Sequence, residues 1–209
     1  VIGFPFLAFI TYSGAAFGPA FYMRNFGVSE GEVATVLGLT AAIAGMTGVI
    51  LGGMIGDKLR KKYVNGRFYV AFLVILLIAP FNLGVLYSEK LYVSYIWNFI
   101  VQLISPMWVG IAPAIVADLV MPRMRAIAGA FYILMVSMLG LALGPYSVGL
   151  LSDTLISQGY SDAEGLKTAL AASMGVLIIS ATTLLLASRY LPGDESSKLD
   201  RAKELGEVI

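Results

Sequence analysis

The stretch GGMIGDKLRKK, residues 52–62, places an acid and several bases directly after an apolar, glycine-rich run. Asp57 is followed within ten positions by five basic residues, which are Lys58, Arg60, Lys61, Lys62 and Arg67. Lys and Arg accumulate at the cytoplasmic ends of membrane-spanning helices. The stretch therefore indicates a helix that leaves a membrane on its cytoplasmic side.

The composition of the whole chain indicates a membrane protein with several spans. Hydrophobic residues make up 58% of the 209 residues and charged residues 13%, whereas soluble domains carry about 25% charged residues. The absence of cysteine and histidine excludes disulfides, cysteine nucleophiles, Ser-His-Asp catalysis and histidine metal sites. The net charge of +1 does not suggest nucleic acid as a partner. We predict no enzyme activity, no cofactor and no metal.

Six apolar runs reach the length of about 20 residues that a helix needs to cross a bilayer. They cover residues 1–24, 32–56, 68–88, 91–118, 126–152 and 167–189. The predicted class is an all-α membrane protein, with a six-helix bundle over residues 1–190 and a C-terminal tail over 191–209. We expect the sixth helix to end at Pro192-Gly193. The spacing of Leu199, Ala202, Leu205 or Gly206, and Ile209 indicates a short surface helix or a solvated stub in the tail.

The distribution of positive charge predicts the orientation of the spans. Eleven Lys and Arg residues fall in the loops after spans 2 and 4 and at the C-terminal end, and three fall on the opposite side. We therefore expect the C-terminus to be cytoplasmic and the protein to be integral to the cell membrane, which is the inner membrane in a bacterium.

An internal repeat relates spans 2 and 5. At an offset of 96, GGMIGDKL echoes VGLLSDTL, and the matched pairs are Gly48 with Gly144, Gly53 with Gly149, Asp57 with Asp153 and Leu59 with Leu155. Because the two copies lie three spans apart, they run in opposite directions. This predicts a 3+3 inverted repeat, which many transporters use; the alternative is chance matching between glycine-rich helices.

Two motifs resemble the major facilitator superfamily. Gly53-x-x-x-Asp57-Lys58-x-x-Lys61-Lys62 resembles its G-x-x-x-D-R/K-x-G-R-R/K motif, with Arg60 in place of the second glycine. Residues 114–153, AIVADLVMPRMRAIAGAFYILMVSMLGLALGPYSVGLLSD, resemble the tenth and eleventh helices of Spinster-type lipid transporters. The resemblance implies that the chain is the C-terminal half of a twelve-helix fold and that an N-terminal six-helix half is its partner.

The charges at the predicted cytoplasmic ends resemble a gate. We expect Asp57 to meet the N-terminus of the fifth helix, which favours an anion, and Asp118 to pair with Arg125 or Arg123 across the tight turn. The predicted gate residues are Gly53, Asp57, Lys58, Asp118, Arg123 and Arg125. Alternatively, these charges only set the topology, and this interpretation is preferred for Lys61, Lys62 and Arg67.

Polar residues that reach the middle of the membrane are candidates for substrate contact. Tyr95, Asn98, Gln102 and Ser105 recur every three or four residues and so share one helix face, and Thr11 and Tyr12 lie in the middle of the first span. Met135 and Met138 add a flexible apolar stripe in the fifth span. Alternatively, these residues bind helices to one another. Gly144 and Pro145 are a candidate hinge, because proline interrupts helical hydrogen bonding.

These observations predict a secondary transporter that works by alternating access. The resemblance implies an amphiphilic lipid substrate, such as a lysolipid or sphingoid lipid, and membrane lipids surround the bundle. A small organic anion or a drug is the alternative substrate. A membrane scaffold or receptor without transport activity is the alternative of another class.

Overall fold

The computed structural model describes residues 3–204, in which all regular structure is helical. Six helices in this range are long and apolar enough to cross a membrane. They are α1 (Gly3–Phe26), α2 (Glu30–Arg60), α3 (Gly66–Tyr87), α4 (Leu91–Leu119), α5 (Pro122–Ser157) and α6 (Asp162–Tyr190). The predicted all-α class with six spans is confirmed.

The connection between α5 and α6 is much shorter than the predicted loop. Residues 158–161 alone separate the two helices. The hydroxyl oxygen of Ser161 accepts a hydrogen bond from the backbone N–H of Glu164 at 3.2 Å, and Ser29 caps α2 in the same way through Glu32 at 3.3 Å. The segment before Leu166 is polar and its composition therefore predicts a loop, although its Ser-x-x-Glu pattern indicates the start of a helix at Ser161.

The predicted end of the sixth helix at Pro192-Gly193 is wrong, because the backbone stays helical to Glu204. A proline removes one helical hydrogen bond and bends a helix, and here the backbone passes through it without ending. The apolar stripe predicted from Leu199 to Ile209 lies outside the residues whose side chains are described. The cytoplasmic location of the tail stays a prediction.

Two π-helical segments interrupt the described helices at matching places. They cover Ala41–Gly45 in α2 and Val136–Ala142 in α5. Shifted by the repeat offset of 96, residues 41–45 fall on residues 137–141, inside the second segment. The segment in α2 forms in a helix without proline, so Pro145 is not needed to produce the irregularity in α5.

Buried positions also repeat at the same offset. Ala44, Gly48, Gly52 and Gly56 are buried in α2, and Gly140, Gly144, Val148 and Ser152 are buried in α5. One residue in four is buried in each copy, so each helix presents a single narrow stripe to its neighbour. Together with the π segments, this stripe confirms the inverted repeat.

Glycines let α2 pack directly on the backbone of α4. A Cβ carbon at Gly48 would lie 3.1 Å from the carbonyl carbon of Leu103, and one at Gly52 would lie 2.7 Å from Met107 Cα. Small residues that let two backbones approach are characteristic of helix packing in membranes. Gly45 of the same helix does not contribute to this contact, because no described atom lies within 4 Å of a Cβ built there.

The repeat-related contact joins α5 to α1. A Cβ at Gly144 would lie 2.8 Å from the carbonyl oxygen of Phe9, and one at Gly140 would lie 2.6 Å from Ala8 Cβ. The inverted repeat exchanges α2 with α5 and α4 with α1. The same kind of glycine-mediated crossing therefore supports both halves of the bundle.

Candidate functional site

A cavity of about 370 Å³ lies between α1, α2, α3 and α4, with Leu170 of α6 at one wall. Of the predicted substrate-cavity residues, Thr11, Asn98, Gln102 and Ser105 line it. Small residues of α1 leave room for the cavity, and these are Gly14, Ala15 and Gly18. Three of the four residues on the predicted face of α4, Asn98, Gln102 and Ser105, thus line one cavity.

Gln102 connects the cavity to the packing of α2 against α4. Its Nε2 donates to the carbonyl oxygen of Leu37 and to Thr40 Oγ1, both at 3.4 Å, and to Asn98 Oδ1 at 3.3 Å. Gln102 therefore has a structural contact as well as a surface in the cavity. Asn98 bonds only within its own helix, so in the described part of the chain it does not bridge helices.

Thr11 and Ser105 form a hydrogen-bonded contact between α1 and α4. Their hydroxyl oxygens lie 2.8 Å apart, and Trp108 Nε1 donates to Thr11 Oγ1 at 3.3 Å. This contact coincides with the break in α4 at Ser105 and Pro106, where the helix is interrupted by a turn. The hydroxyl groups of Thr11 and Ser105 thus already form hydrogen bonds within the protein.

The other four predicted cavity residues do not line this cavity, and their contact with substrate stays a prediction. The ring of Tyr95 lies 4.7 Å from that of Tyr22 between centroids, and Tyr12 packs against the hydrophobic core. Met135 is half-buried and Met138 is exposed, and both belong to α5, which contributes no lining residue. α5 packs against a different face of α1 from the one that borders the cavity.

The structure adds Asn82 of α3 to the cavity wall. Its Nδ2 donates to the carbonyl oxygen of Ile78 at 2.8 Å. Asn82 is not among the residues predicted from the sequence to contact substrate. An amide within an otherwise apolar span is costly to bury and tends to be functional, so its position two residues after Pro80 was a usable signal.

A charged cluster, formed by Asp57, Arg60, Arg67 and Asp118, joins the ends of α2, α3 and α4. Arg67 Nε and Nη2 both donate to Asp57 Oδ1, at 3.1 and 2.7 Å, and Arg67 Nη1 donates to Asp118 Oδ2. Arg60 Nε lies 3.9 Å from Asp118 Oδ2. The Arg67 side chain is only 16% exposed, so it is the central member of the cluster.

The cluster corrects two predicted pairings. Asp57 pairs with Arg67 rather than with the N-terminus of α5, and Asp118 pairs with Arg67 rather than with Arg125, because the tight turn from α2 to α3 returns Arg67 to the end of α2. Gly66 permits that turn, since a Cβ there would overlap the backbone of Leu59 and Arg60. Arg125 is exposed and forms no ion pair among the described residues.

The remaining predicted residues have mixed positions. Lys58 and Arg123 are exposed, at the C-terminal end of α2 and the N-terminal end of α5, and a Cβ built at Gly53 would lie 3.5 Å from the carbonyl oxygen of Gly110. Gly144 is a close-packing position, and Pro145 follows the π segment of α5. The hinge role of Gly144 and Pro145 stays a prediction, as does the gate.

Comparisons with known proteins agree with this architecture. The chain is 27% identical over 190 residues to an MFS-type efflux pump of Mycolicibacterium smegmatis, covering 91% of this chain and 44% of the pump. It is 34% identical over 174 residues to human protein spinster homolog 1, covering 74% of this chain and 32% of that protein. The chain thus spans less than half the length of these relatives. No protein-family model matches the chain.

A solved structure shares the fold. It is a bacterial homolog of the human lysosomal transporter Spinster in an inward-facing, unoccupied conformation, which matches with a TM-score of 0.80 and 24% identity over 92% of this chain and 47% of that chain. The six apolar helices, the inverted repeat and the half-length match all fit one half of a twelve-helix architecture. The chain is an integral membrane protein that belongs to the major facilitator superfamily as a six-helix half, with Spinster proteins among its relatives.

Proposed function

We propose that the chain is the C-terminal half of a secondary transporter that works by alternating access and moves an amphiphilic lipid. The main support for this proposal is the cavity of about 370 Å³. Its wall is mainly apolar and includes a few amide groups. Binding pockets for amphiphilic small molecules have this character, with a few polar groups in a largely apolar surface. The superfamily relatives support transport over a scaffold or receptor function.

The cavity favours an amphiphile over a small organic anion. Among the described residues, no Lys or Arg lines it, so this half offers no cation to compensate a desolvated carboxylate. Apolar side chains such as Ile10 and Val101 can instead contact an acyl chain. For the cavity to open alternately to the two sides of the membrane, a second six-helix half is required, and we propose this half as the partner of the chain.

We expect a lysolipid to stabilise the intact transporter against heat. A ligand that binds only the folded state stabilises it by about 2.7 kcal/mol at a concentration of 100 times its Kd. 1-Oleoyl-lysophosphatidylcholine should therefore raise the Tm by several degrees in detergent, and an alkyl detergent of equal chain length serves as the control for non-specific effects. Stabilisation by a compact organic acid or a sugar, without a lysolipid effect, would overturn the lipid substrate. Uptake into proteoliposomes then separates a transporter from a receptor.

We expect Asn98→Ala to weaken lysolipid binding by about three- to tenfold, because it removes one hydrogen-bonding group from an apolar cavity. Its Tm should stay close to that of the unmodified protein. Gln102→Ala should weaken binding and also lower the Tm, because Gln102 bonds to α2. Gln158→Ala, which removes an exposed amide outside the cavity, is the control. Unchanged binding in both cavity variants would show that the polar face only packs helices.

A further inference from the structure

Three amide side chains line the cavity, those of Asn82, Asn98 and Gln102, and each leaves a hydrogen-bonding atom available for a ligand. Asn82 and Gln102 use their N–H groups, toward Ile78 and toward Leu37, Thr40 and Asn98. Asn98 uses its oxygen, which accepts from Gln102. Within the described part of the chain, two acceptors, Asn82 Oδ1 and Gln102 Oε1, and one donor group, Asn98 Nδ2, therefore remain without a protein partner.

The charge of the cavity limits which ligand group these atoms can serve. None of the described lining residues is Asp, Glu, Lys or Arg. A phosphate or a carboxylate would lose its hydration without meeting a positive charge, which is costly in an apolar space. Such groups are also acceptors only, so they would face two amide oxygens that repel them. The group that enters is uncharged.

A hydroxyl group fits the available atoms. It donates one hydrogen bond and accepts up to two, so it can donate to one of the two amide oxygens and accept from Asn98 Nδ2. We propose that Asn82, Asn98 and Gln102 form a subsite that recognises a free hydroxyl of the substrate, and that Asn82 is a specificity-determining residue within it. This inference rests on the proposed function, since it names the substrate group that the same cavity binds.

The test compares two probes that differ at one oxygen. 1-Oleoyl-lysophosphatidylcholine has a free hydroxyl at the glycerol 2-position, and its 2-O-methyl ether has the same chain and headgroup without that donor. The intact transporter should bind the free-hydroxyl probe about tenfold more tightly than the ether, since the ether leaves an amide oxygen without a partner. Calorimetry or the ligand-dependent rise in Tm measures both affinities.

The variant Asn82→Leu keeps the approximate shape of the side chain and removes both polar atoms. We expect this variant to lose most of the tenfold preference. Its affinity for the free-hydroxyl probe should fall, and its affinity for the ether should stay within about twofold of that of the unmodified protein. Asn25→Leu is the matched control, because Asn25 also donates to a carbonyl oxygen four residues earlier, that of Phe21 at 3.0 Å, but does not line the cavity. It should keep the full preference.

The possible results separate the two proposals. If the unmodified protein binds both probes equally, or if Asn82→Leu keeps the full preference while folding normally, the hydroxyl subsite is wrong and the amphiphile-binding cavity stands. If the unmodified protein binds neither probe, the proposed lipid substrate fails and the subsite fails with it. Should Asn82→Leu fold poorly, Asn82→Ala with the same pair of probes gives the same comparison, because preference is a ratio within one protein.

Discussion

Gly52→Ala is expected to disrupt the bundle, whereas Gly45→Ala in the same helix is tolerated. A methyl group at Gly52 would lie 2.7 Å from Met107 Cα and closer still to its carbonyl oxygen. Backbone atoms cannot rotate away as a flexible side chain can, so α2 and α4 would have to separate along their length. Overpacking of this kind costs about 3 kcal/mol, which is a large part of the stability of a typical domain.

Gly45 supplies the matched control because no described atom lies within 4 Å of a Cβ built there. Alanine is also a better helix former than glycine by about 1 kcal/mol, so Gly45→Ala should be neutral or slightly stabilising. The measurement is the Tm of the purified protein, together with the fraction that elutes as a single species in size-exclusion chromatography. Equal Tm values for the two variants would contradict the close approach of α2 and α4.

Gly144, which lies in the repeat-related helix α5, tests whether glycine packing also stabilises the second copy of the repeat. Gly144→Ala should destabilise through the contact of α5 with α1, where the new methyl would lie 2.8 Å from the Phe9 carbonyl oxygen and 2.9 Å from Ser13 Oγ. We expect a smaller loss than for Gly52→Ala, because the Ser13 side chain can change rotamer. A loss at one position and none at the other would contradict equivalent packing in the two repeats.

Arg67→Met is expected to lower stability by about 2 kcal/mol, the second largest effect. Methionine keeps an unbranched apolar stem but removes the guanidinium that binds both Asp57 and Asp118, while Asp118 keeps its contact with Arg60. The Asp57 and Asp118 side chains are 62% and 39% exposed, so water recovers part of the loss. The expected cost therefore lies between that of a surface pair and that of a fully buried one.

The control for the charged cluster is Arg125→Met. Arg125 is exposed and forms no ion pair among the described residues, so this variant should stay within about 0.5 kcal/mol of the unmodified protein. A double-mutant cycle of Arg67→Met with Asp57→Asn should give a combined loss smaller than the sum of the two, because both remove the same interaction. Additive losses would show that the pair contributes nothing in solution.

The same variants test the predicted gate in the intact transporter. Spin labels placed on the two six-helix halves, at the end that holds the charged cluster, report the distance between the halves. We expect Asp57→Asn and Arg67→Met to shift this distance in the same direction. A shift of 1.4 kcal/mol changes a two-state ratio about tenfold. An unchanged distance distribution would leave the cluster with a purely structural role.

The sequence alone determined the membrane class, the six spans and the inverted repeat. Inside a bilayer each helix must satisfy its own backbone hydrogen bonds, so the length of an apolar run decides a span locally. The glycines at 48, 52 and 144 were also readable as packing positions, because small residues are what close helix crossings require. The Ser-x-x-Glu start of α6 was present in the sequence and was missed.

Only the tertiary structure decided how the helices are rotated and which side chains meet. Spacing placed Tyr95 and Gln102 on one face of α4, yet Tyr95 packs against the ring of Tyr22 and does not line the cavity that Gln102 lines. Asn82 reaches the same cavity from α3, and Arg67 rather than Arg125 pairs with Asp118. These contacts join residues on different helices, so they depend on close packing between surfaces, which no periodicity within one helix encodes.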